Sequence, residues 1–182
     1  MKFYKHRSEE CDILESLFNT MPLMDNNIAK VIESFIYSIK TTTYRDGKIK
    51  SRHEVKNETK IGKYESWNKE GSLIKKCNYK NNKLDGLFQA WYDNGKISDI
   101  RNYKDGKLHG KCKTWLEDGI VKVENYKNGV LHGNCTEWLK NGRKNVQCNY
   151  KDGKLHGKYI EWDINGEEKI DESIFRNGKI IN

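Results

Sequence analysis

Residues 102–120 read NYKDGKLHGKCKTWLEDGI, and three further stretches of the chain repeat this pattern. They are NYKNNKLDGLFQAWYDNGK at 78–96, NYKNGVLHGNCTEWLKNGR at 125–143 and NYKDGKLHGKYIEWDINGE at 149–167. The tyrosines Tyr79, Tyr103, Tyr126 and Tyr150 mark a nearly constant period, in which only the step from Tyr103 to Tyr126 is shorter, by a single position. A fixed period of roughly 20–50 residues is typical of a repeat array, in which each unit packs on its neighbours.

A second glycine of each unit extends the array in both directions. The series Gly47, Gly71, Gly95, Gly119, Gly142 and Gly166 keeps the period of the tyrosines, and FRNGKI at 175–180 begins a last unit. We therefore predict about six units over residues 43–182. Residues 1–42 form a separate N-terminal segment.

Two turn signals alternate within each unit and predict short antiparallel strands. Asp-Gly and Asn-Gly pairs favour two-residue hairpin loops, because both central positions of such loops require positive φ. With Asp105-Gly106 as a loop, Tyr103 faces Leu108. Counted through the preceding Asn94-Gly95 loop, Gly86 lies opposite Tyr103, where the missing side chain leaves room for the ring. Strict alternation puts Trp91 on the other face, unless a bulge reunites the two aromatic rows.

The N-terminal segment has the periodicity of helices. Residues 8–18 suit a short helix behind an N-cap at Ser8, and Pro22 introduces a second apolar helical pattern that ends near Ile39. Such helices would cover the open first edge of the repeat sheet. The alternative is a partner-binding head, because MPLMDNNIAKVIESFI loosely resembles an F-box.

The repeated NGxLHGxxxxW, followed by xxNG or xxDG, resembles the MORN repeat over residues 43–182. It is closest to the variant form of this repeat that is found in bacterial antitoxin-like proteins and large DNA viruses. The resemblance implies an elongated single-layer antiparallel β-meander of hairpin repeats. Together with the N-terminal helices, the expected fold is mainly β with a short α-helical N-terminal cap. The resemblance also implies binding and scaffolding rather than catalysis.

The histidines and cysteines of the repeats have spacings that argue against a metal or catalytic site. His109, His132 and His156 are one unit apart, roughly 9.6 Å, so one metal ion cannot bridge them. Cys135 and Cys148 face each other across a hairpin, and we predict two reduced thiols in contact. No nucleophile with a base, no phosphate-binding loop and no dinucleotide fingerprint is present, so we expect no catalytic residues, no metal and no cofactor.

Charge and cysteine usage restrict the partners and the compartment. The net charge is +8, and residues 43–182 carry the whole excess of Lys and Arg. Acidic residues such as Glu117, Asp118 and Glu124 interrupt the basic ones, so specific nucleic-acid binding is not expected. Five cysteines without a C-x-x-C pair favour a reducing compartment, and no signal sequence or membrane span is predicted. We expect the cytoplasm, which for a viral protein means the host cytoplasm or the virion.

The sequence thus predicts a non-catalytic protein-binding or scaffold protein, with a viral structural or assembly role as one setting. Two alternatives are a peripheral binder of anionic phospholipid membranes and an antitoxin-like neutralising protein. A protein partner is expected first, anionic phospholipid second, and self-association through a sheet edge is a further option. The candidate binding surface consists of Trp67, Trp91, Trp115, Trp138, Trp162, Lys80, Lys83, Lys104, Lys107, Lys127, Lys151 and Lys154.

Overall fold

The computed structural model describes residues 38–117, 119 and 121–181. The helices expected within residues 8–37 lie outside the described residues and stay predictions. The chain divides into two compact units, at residues 1–83 and 84–182, which are described separately. Every described element is a β-strand, and all strand pairs are antiparallel, so the mainly β hairpin fold is confirmed.

The described part of the first unit is a four-stranded sheet in which neighbours in sequence pair with each other. Its strands are β1 (Ser38–Thr43), β2 (Ile49–Lys56), β3 (Thr59–Trp67) and β4 (Leu73–Lys80). The helix expected to reach Ile39 is wrong at its end, because Ile39 lies in β1 and pairs with Glu54. The run SIKTTT at 38–43 is rich in β-branched residues, which lose side-chain freedom in a helix and suit a strand. The sheet therefore begins before residue 43.

The second unit is also an open antiparallel sheet, built from hairpins. Its strands are β5 (Lys83–Trp91), β6 (Ile97–Lys104), β7 (Lys107–Leu108), β8 (Gly110–Trp115), β9 (Val121–Lys127), β10 (Val130–Leu131), β11 (Gly133–Trp138), β12 (Lys144–Lys151), β13 (Lys154–Leu155), β14 (Gly157–Trp162), β15 (Lys169–Arg176) and β16 (Lys179–Ile180). The order across the sheet is β5-β6-β8-β9-β11-β12-β14-β15-β16. The short strands β7, β10 and β13 pair with β6, β9 and β12.

In each repeat, the first turn is the one that follows the tyrosine, such as Asp105-Gly106. It is the predicted two-residue loop. Asp105 and Gly106 have φ of 51° and 82°, and Tyr103 pairs with Leu108 as expected. Two successive positive φ angles define the type I′ turn, whose twist matches that of the flanking strands. The prediction for this turn is confirmed.

The second turn differs from the prediction. Asn94 does not have positive φ, whereas Gly95 does at 80°. The amide of Tyr92 donates to the carbonyl of Lys96 over 2.9 Å, which leaves three residues in the loop. The Asn94 side chain accepts the Lys96 amide over 2.9 Å. A type I turn followed by one left-handed glycine is the preferred three-residue hairpin loop, so a two-residue loop was wrong here.

A β-bulge opposite the tryptophan explains why the units differ in length. At the end of β11, Trp138 pairs with Lys144 while Glu137 pairs with Val146, so Asn145 is an extra residue in β12. The equivalent register shift occurs in the other hairpins of this type, except between β8 and β9, where Trp115 pairs with Val121 without a break. The step from Tyr103 to Tyr126 is therefore one residue shorter because this repeat lacks the bulge residue.

The Leu-His-Gly segment forms a second irregularity. Tyr103 and Asp99 are four positions apart in β6, whereas their partners Leu108 and Thr114 are six positions apart. Gly110 absorbs this difference with φ of 83°. The predicted pairing of Gly86 with Tyr103 is confirmed. The predicted reason does not hold at Gly110, because a Cβ there would meet no atom within 4 Å. Backbone conformation, rather than room for the ring, requires glycine there.

Candidate functional site

The two faces of the second unit carry different side chains. The register places Tyr103, Tyr126 and Tyr150 on one face, which we call the tyrosine face. Contacts between side chains confirm this alternation: Phe88 packs on Tyr103 with ring centroids 5.8 Å apart. The opposite side is called the basic face, for the charges described next.

Charge is strongly segregated between these faces at the paired strand positions. The tyrosine face carries two cations, Arg101 and Lys122, and five carboxylates, Asp99, Glu124, Glu137, Glu161 and Asp171. The basic face carries a single carboxylate, Glu172. Its twelve cations are Lys104, Lys107, Lys111, Lys113, Lys127, Lys144, Lys151, Lys154, Lys158, Lys169, Arg176 and Lys179. The basic face is therefore a surface of nearly uniform sign.

The titration of Glu172 reflects this positive surface. Its carboxylate bonds to the ammonium groups of Lys158 and Lys169, the latter over 2.8 Å. These contacts lower the pKa of Glu172 to about 2. The one acid of the basic face is thus held ionised by the lysines around it.

Seven of the twelve cations stand in one row at the ends of the first-turn hairpins, which we call the tip line. They are Lys104, Lys107, Lys127, Lys151, Lys154, Arg176 and Lys179. All seven are exposed, and none makes an ion pair with a described residue. Lys104 pairs directly with Lys107, and Lys151 with Lys154, an arrangement of like charges that costs stability in a sheet.

Contacts between successive turns hold the tip line together. The Gly129 amide donates to the Leu108 carbonyl over 2.7 Å, and the Gly153 amide to the Leu131 carbonyl over 2.8 Å. A Cβ on Gly129 would lie 3.7 Å from the Cβ of Lys107. Neighbouring strands in a sheet are about 4.8 Å apart, so the eight strands of the tip line extend over roughly 34 Å.

The tryptophans of the second unit lie on the basic face but at the other end of the strands. Trp91, Trp115, Trp138 and Trp162 are half-buried and precede the second turns, of which the turn after Trp162 is one residue longer than those after Trp91 and Trp138. Lys113 covers the ring of Trp115, with its Nζ 4.5 Å from the ring centroid. Trp115 is eight residues from Lys107, about 20–25 Å along the strand. The predicted surface is thus two regions, and the aromatic rows occupy opposite faces.

In the first unit, Trp67 and Lys80 also lie at opposite strand ends. The guanidinium carbon of Arg52 is 5.6 Å from the centroid of a Trp67 ring. Arg52 also bonds Glu65 over 2.7 Å, so carboxylate and cations alternate on this side of the first unit. Lys80 and Lys83 are exposed. The strong segregation of charge is a property of the second unit.

The tyrosine face makes its own small core. Cys112, Cys135 and Cys148 are among the most buried side chains, at 5%, 5% and 2% exposure. The Tyr126 hydroxyl donates to the carboxylate of Glu124, and the Tyr159 hydroxyl donates to that of Glu161. Burial and the adjacent carboxylates raise the pKa of both tyrosines to about 12. Within the described residues, buried thiols and neutral phenols therefore form the core of this face, and no second layer of structure packs on it.

Cys135 and Cys148 face each other as predicted, and both thiols are free. The predicted pairing is therefore confirmed, and the adjacent Cys148 thiol together with burial raises the pKa of the Cys135 thiol. Cys112 faces Glu124 and Cys77 faces Tyr64.

The histidine series has a structural explanation. The Nδ1 of His109 accepts the amide of Asn128 over 3.5 Å, and that of His132 accepts the amide of Asp152 over 3.4 Å. Where the series is interrupted, the carboxylate of Asp85 accepts an amide of the next turn in the same way. No group of three metal-ligating side chains is found among the described residues.

Sequence reasoning missed five cations of the basic face that lie outside the tip line, two of them paired directly with tryptophans, and two cations at the last tip. The former are Lys111, Lys113, Lys144, Lys158 and Lys169, and the latter are Arg176 and Lys179. Counting side-chain alternation from the tyrosines and their paired glycines places Lys111 and Lys158 on the basic face. The bulges change the parity near the tryptophans, so Lys144 and Lys169 could not be assigned to a face without the register.

Comparison with known families agrees with this architecture. Residues 60–81 and 84–105 match the family described as MORN repeat variant, once in each unit. A comparison with curated proteins finds no match. MORN repeats are binding motifs for proteins or membrane lipids and are not an enzymatic motif. Among the described residues, no helix has the length and apolar composition to cross a bilayer. Residues 60–81 and 84–105 are therefore two MORN repeats of the variant type.

Proposed function

We propose that this protein is a non-catalytic scaffold that holds an acidic protein partner against the tryptophan end of the basic face. The observation that carries the proposal is the row Trp91, Trp115, Trp138 and Trp162, half-buried on one face of a sheet that no second layer covers among the described residues. Half-buried tryptophans framed by cations are the side chains that dominate protein interfaces.

The cations that lie beside the tryptophan rings support an acidic partner. Lys113 lies over Trp115, and the Nζ of Lys144 is 5.6 Å from the centroid of a Trp162 ring. An approaching carboxylate would meet an ammonium group beside an aromatic ring. Charge complementarity of this kind speeds association and excludes basic competitors.

The test begins with affinity purification from the native source, followed by titration of the purified partner into the full chain. Replacing Trp115 or Trp138 with Ser should weaken binding at least tenfold, the loss expected when an interface anchor worth about 1.4 kcal/mol or more is removed. The Trp138→Phe variant keeps an apolar ring and should lose less. Unchanged affinity in the Ser variants, with thermal unfolding like the wild type, would exclude the tryptophan end.

The remaining predictions depend on the partner. A virion or assembly role requires a structural protein of the particle, and an antitoxin-like role requires a toxin that the chain neutralises. Self-association through a sheet edge would give a concentration-dependent mass in light scattering. The alternative of an anionic phospholipid partner would use the tip line, and its experiment is given below.

A further inference from the structure

The tip line offers a ligand surface that the proposed scaffold function does not use. Its seven cations project from one face in a single row, with only Val130 interrupting the sequence of positive tips. They lack ion pairs with described residues, although carboxylates are available elsewhere in the same sheet. The like charges of the paired Lys104 and Lys107 destabilise the sheet, and a bound anion would offset this repulsion.

The acids that argued against a phosphate-binding row in the sequence lie elsewhere. Glu124 is on the tyrosine face, where it bonds Tyr126 and Lys122. Glu117 follows β8 at the tryptophan end of the strands. The carboxylates at the tips are Asp105 and Asp152 in the turns, with Asp85 bonded to the Asp105 amide over 3.0 Å. Along the row, the cations are therefore interrupted only at Val130, although acidic residues interrupt them in sequence order.

We propose that the tip line of the second unit binds the phosphodiester backbone of single-stranded nucleic acid without regard to base sequence. The row extends over roughly 34 Å with a cation about every 4.8 Å, interrupted once. A polymer with one negative charge on each nucleotide matches such a row along its whole length, and one row matches one backbone.

The same geometry disfavours a membrane as the occupant. Peripheral membrane binding usually combines basic residues with apolar or aromatic side chains that enter the headgroup region. The row itself carries one large apolar side chain, Val130, and the exposed Ile180 and Ile181 lie only beside its last hairpin. Asp105 and Asp152 in the turns would be pressed toward anionic headgroups. A phosphodiester strand can pass beside these carboxylates along the lysine row.

The experiment measures binding of the full chain to a fluorescein-labelled 20-nucleotide oligo(dT) by anisotropy over a range of salt concentrations. A single strand neutralised by seven cations gives a slope of log K against log salt of up to about −5. The double variant Lys151→Gln and Lys154→Gln should reduce the slope by about 1.4 and weaken binding about 25-fold at 0.1 M salt.

A matched control removes the same charge from the other strand end. Lys96 and Lys140 are exposed, make no ion pair with a described residue and lie in the three-residue loops or directly beside them. The Lys96→Gln and Lys140→Gln double variant should keep the slope and the affinity. An equal loss in both double variants, or an unchanged slope in the tip variant, overturns the proposal.

Two further arms separate the possible sources of phosphate. A labelled oligo(rU) of the same length should bind like oligo(dT). Vesicles of phosphatidylcholine and phosphatidylserine, mixed at a molar ratio of 7 to 3, should bind more weakly. Vesicle binding without oligonucleotide binding in the same low-salt buffer contradicts the proposal and supports the phospholipid alternative. Because the tip line and the tryptophan end are separate, neither result decides the protein-partner proposal.

Discussion

At the scale of single residues, backbone conformation decides which residue types the repeats use. The first turns require positive φ at two successive positions, and most units supply Asp-Gly or Asn-Gly. Two units depart from this rule: Glu58 has φ of 59° and Asn82 has φ of 61°. Left-handed conformation is unfavourable for residues with a Cβ, most of all for those without a short polar side chain.

Replacing Glu58 with Gly should therefore stabilise the protein. The expected gain is roughly 0.5–1 kcal/mol, the strain relieved less the added freedom of glycine in the unfolded chain. Urea unfolding at neutral pH measures it. Glu58→Gly removes an exposed ion pair with Lys40, which contributes little to stability. Asn82→Gly is the control, because it removes the hydrogen bond of 2.7 Å from the Lys60 amide to the Asn82 side chain and should gain less. A loss of stability in Glu58→Gly would show that φ does not limit this turn.

Ionisation of the buried tyrosine hydroxyls makes the free energy of unfolding depend on pH in the alkaline range. The folded state raises the pKa of Tyr126 from 10.0 to about 12, mainly by burial and then by Glu124. Its stabilising contribution is therefore present below pH 10 and is lost as the pH rises from 10 to 12. Tyr126→Phe should lose less unfolding free energy between pH 9 and pH 11 than the wild type. Equal losses in urea unfolding would contradict the shift.

At the scale of elements, the hairpin sets the register and the bulge adjusts it. The sequence predicts the first turns, the pairing of tyrosine with leucine and the pairing of Cys135 with Cys148, because all three follow from counting through a loop with known geometry. It does not predict the three-residue loops, since Asn-Gly suits both loop types. The bulge opposite Trp138 has no signal within one unit. The only hint is the shortened step from Tyr103 to Tyr126.

The bulge determines which deletions the fold should tolerate. Deleting Asn145 should convert its hairpin to the form of β8 and β9, at a cost of about 1 kcal/mol for the lost hydrogen bond to Glu137. Deleting Val123 from β9, which has no bulge residue to lose, should cost more than about 3 kcal/mol because side chains change face. Thermal unfolding of both variants measures the difference. Equal destabilisation would refute the assignment of Asn145 as the bulge residue.

At the scale of the whole molecule, alternation turns a mixed sequence into two faces of opposite charge. A net charge of +8 looks diffuse along the chain, but in the second unit the cations gather on the basic face and the carboxylates on the tyrosine face. Sequence counting identified five of the seven tip cations. It could not recognise the segregation, because that requires the parity of every strand, which the bulges alter.

The central claim is that anions bind the tip line of the basic face, and lysine footprinting tests it most directly. The full chain is acetylated at limiting reagent with and without oligo(dT), and mass spectrometry reads the modification of each lysine. We predict protection of Lys104, Lys107, Lys151 and Lys154, with Lys96 and Lys140 unchanged. Equal protection of all lysines, or protection at Lys96 and Lys140 alone, would contradict it.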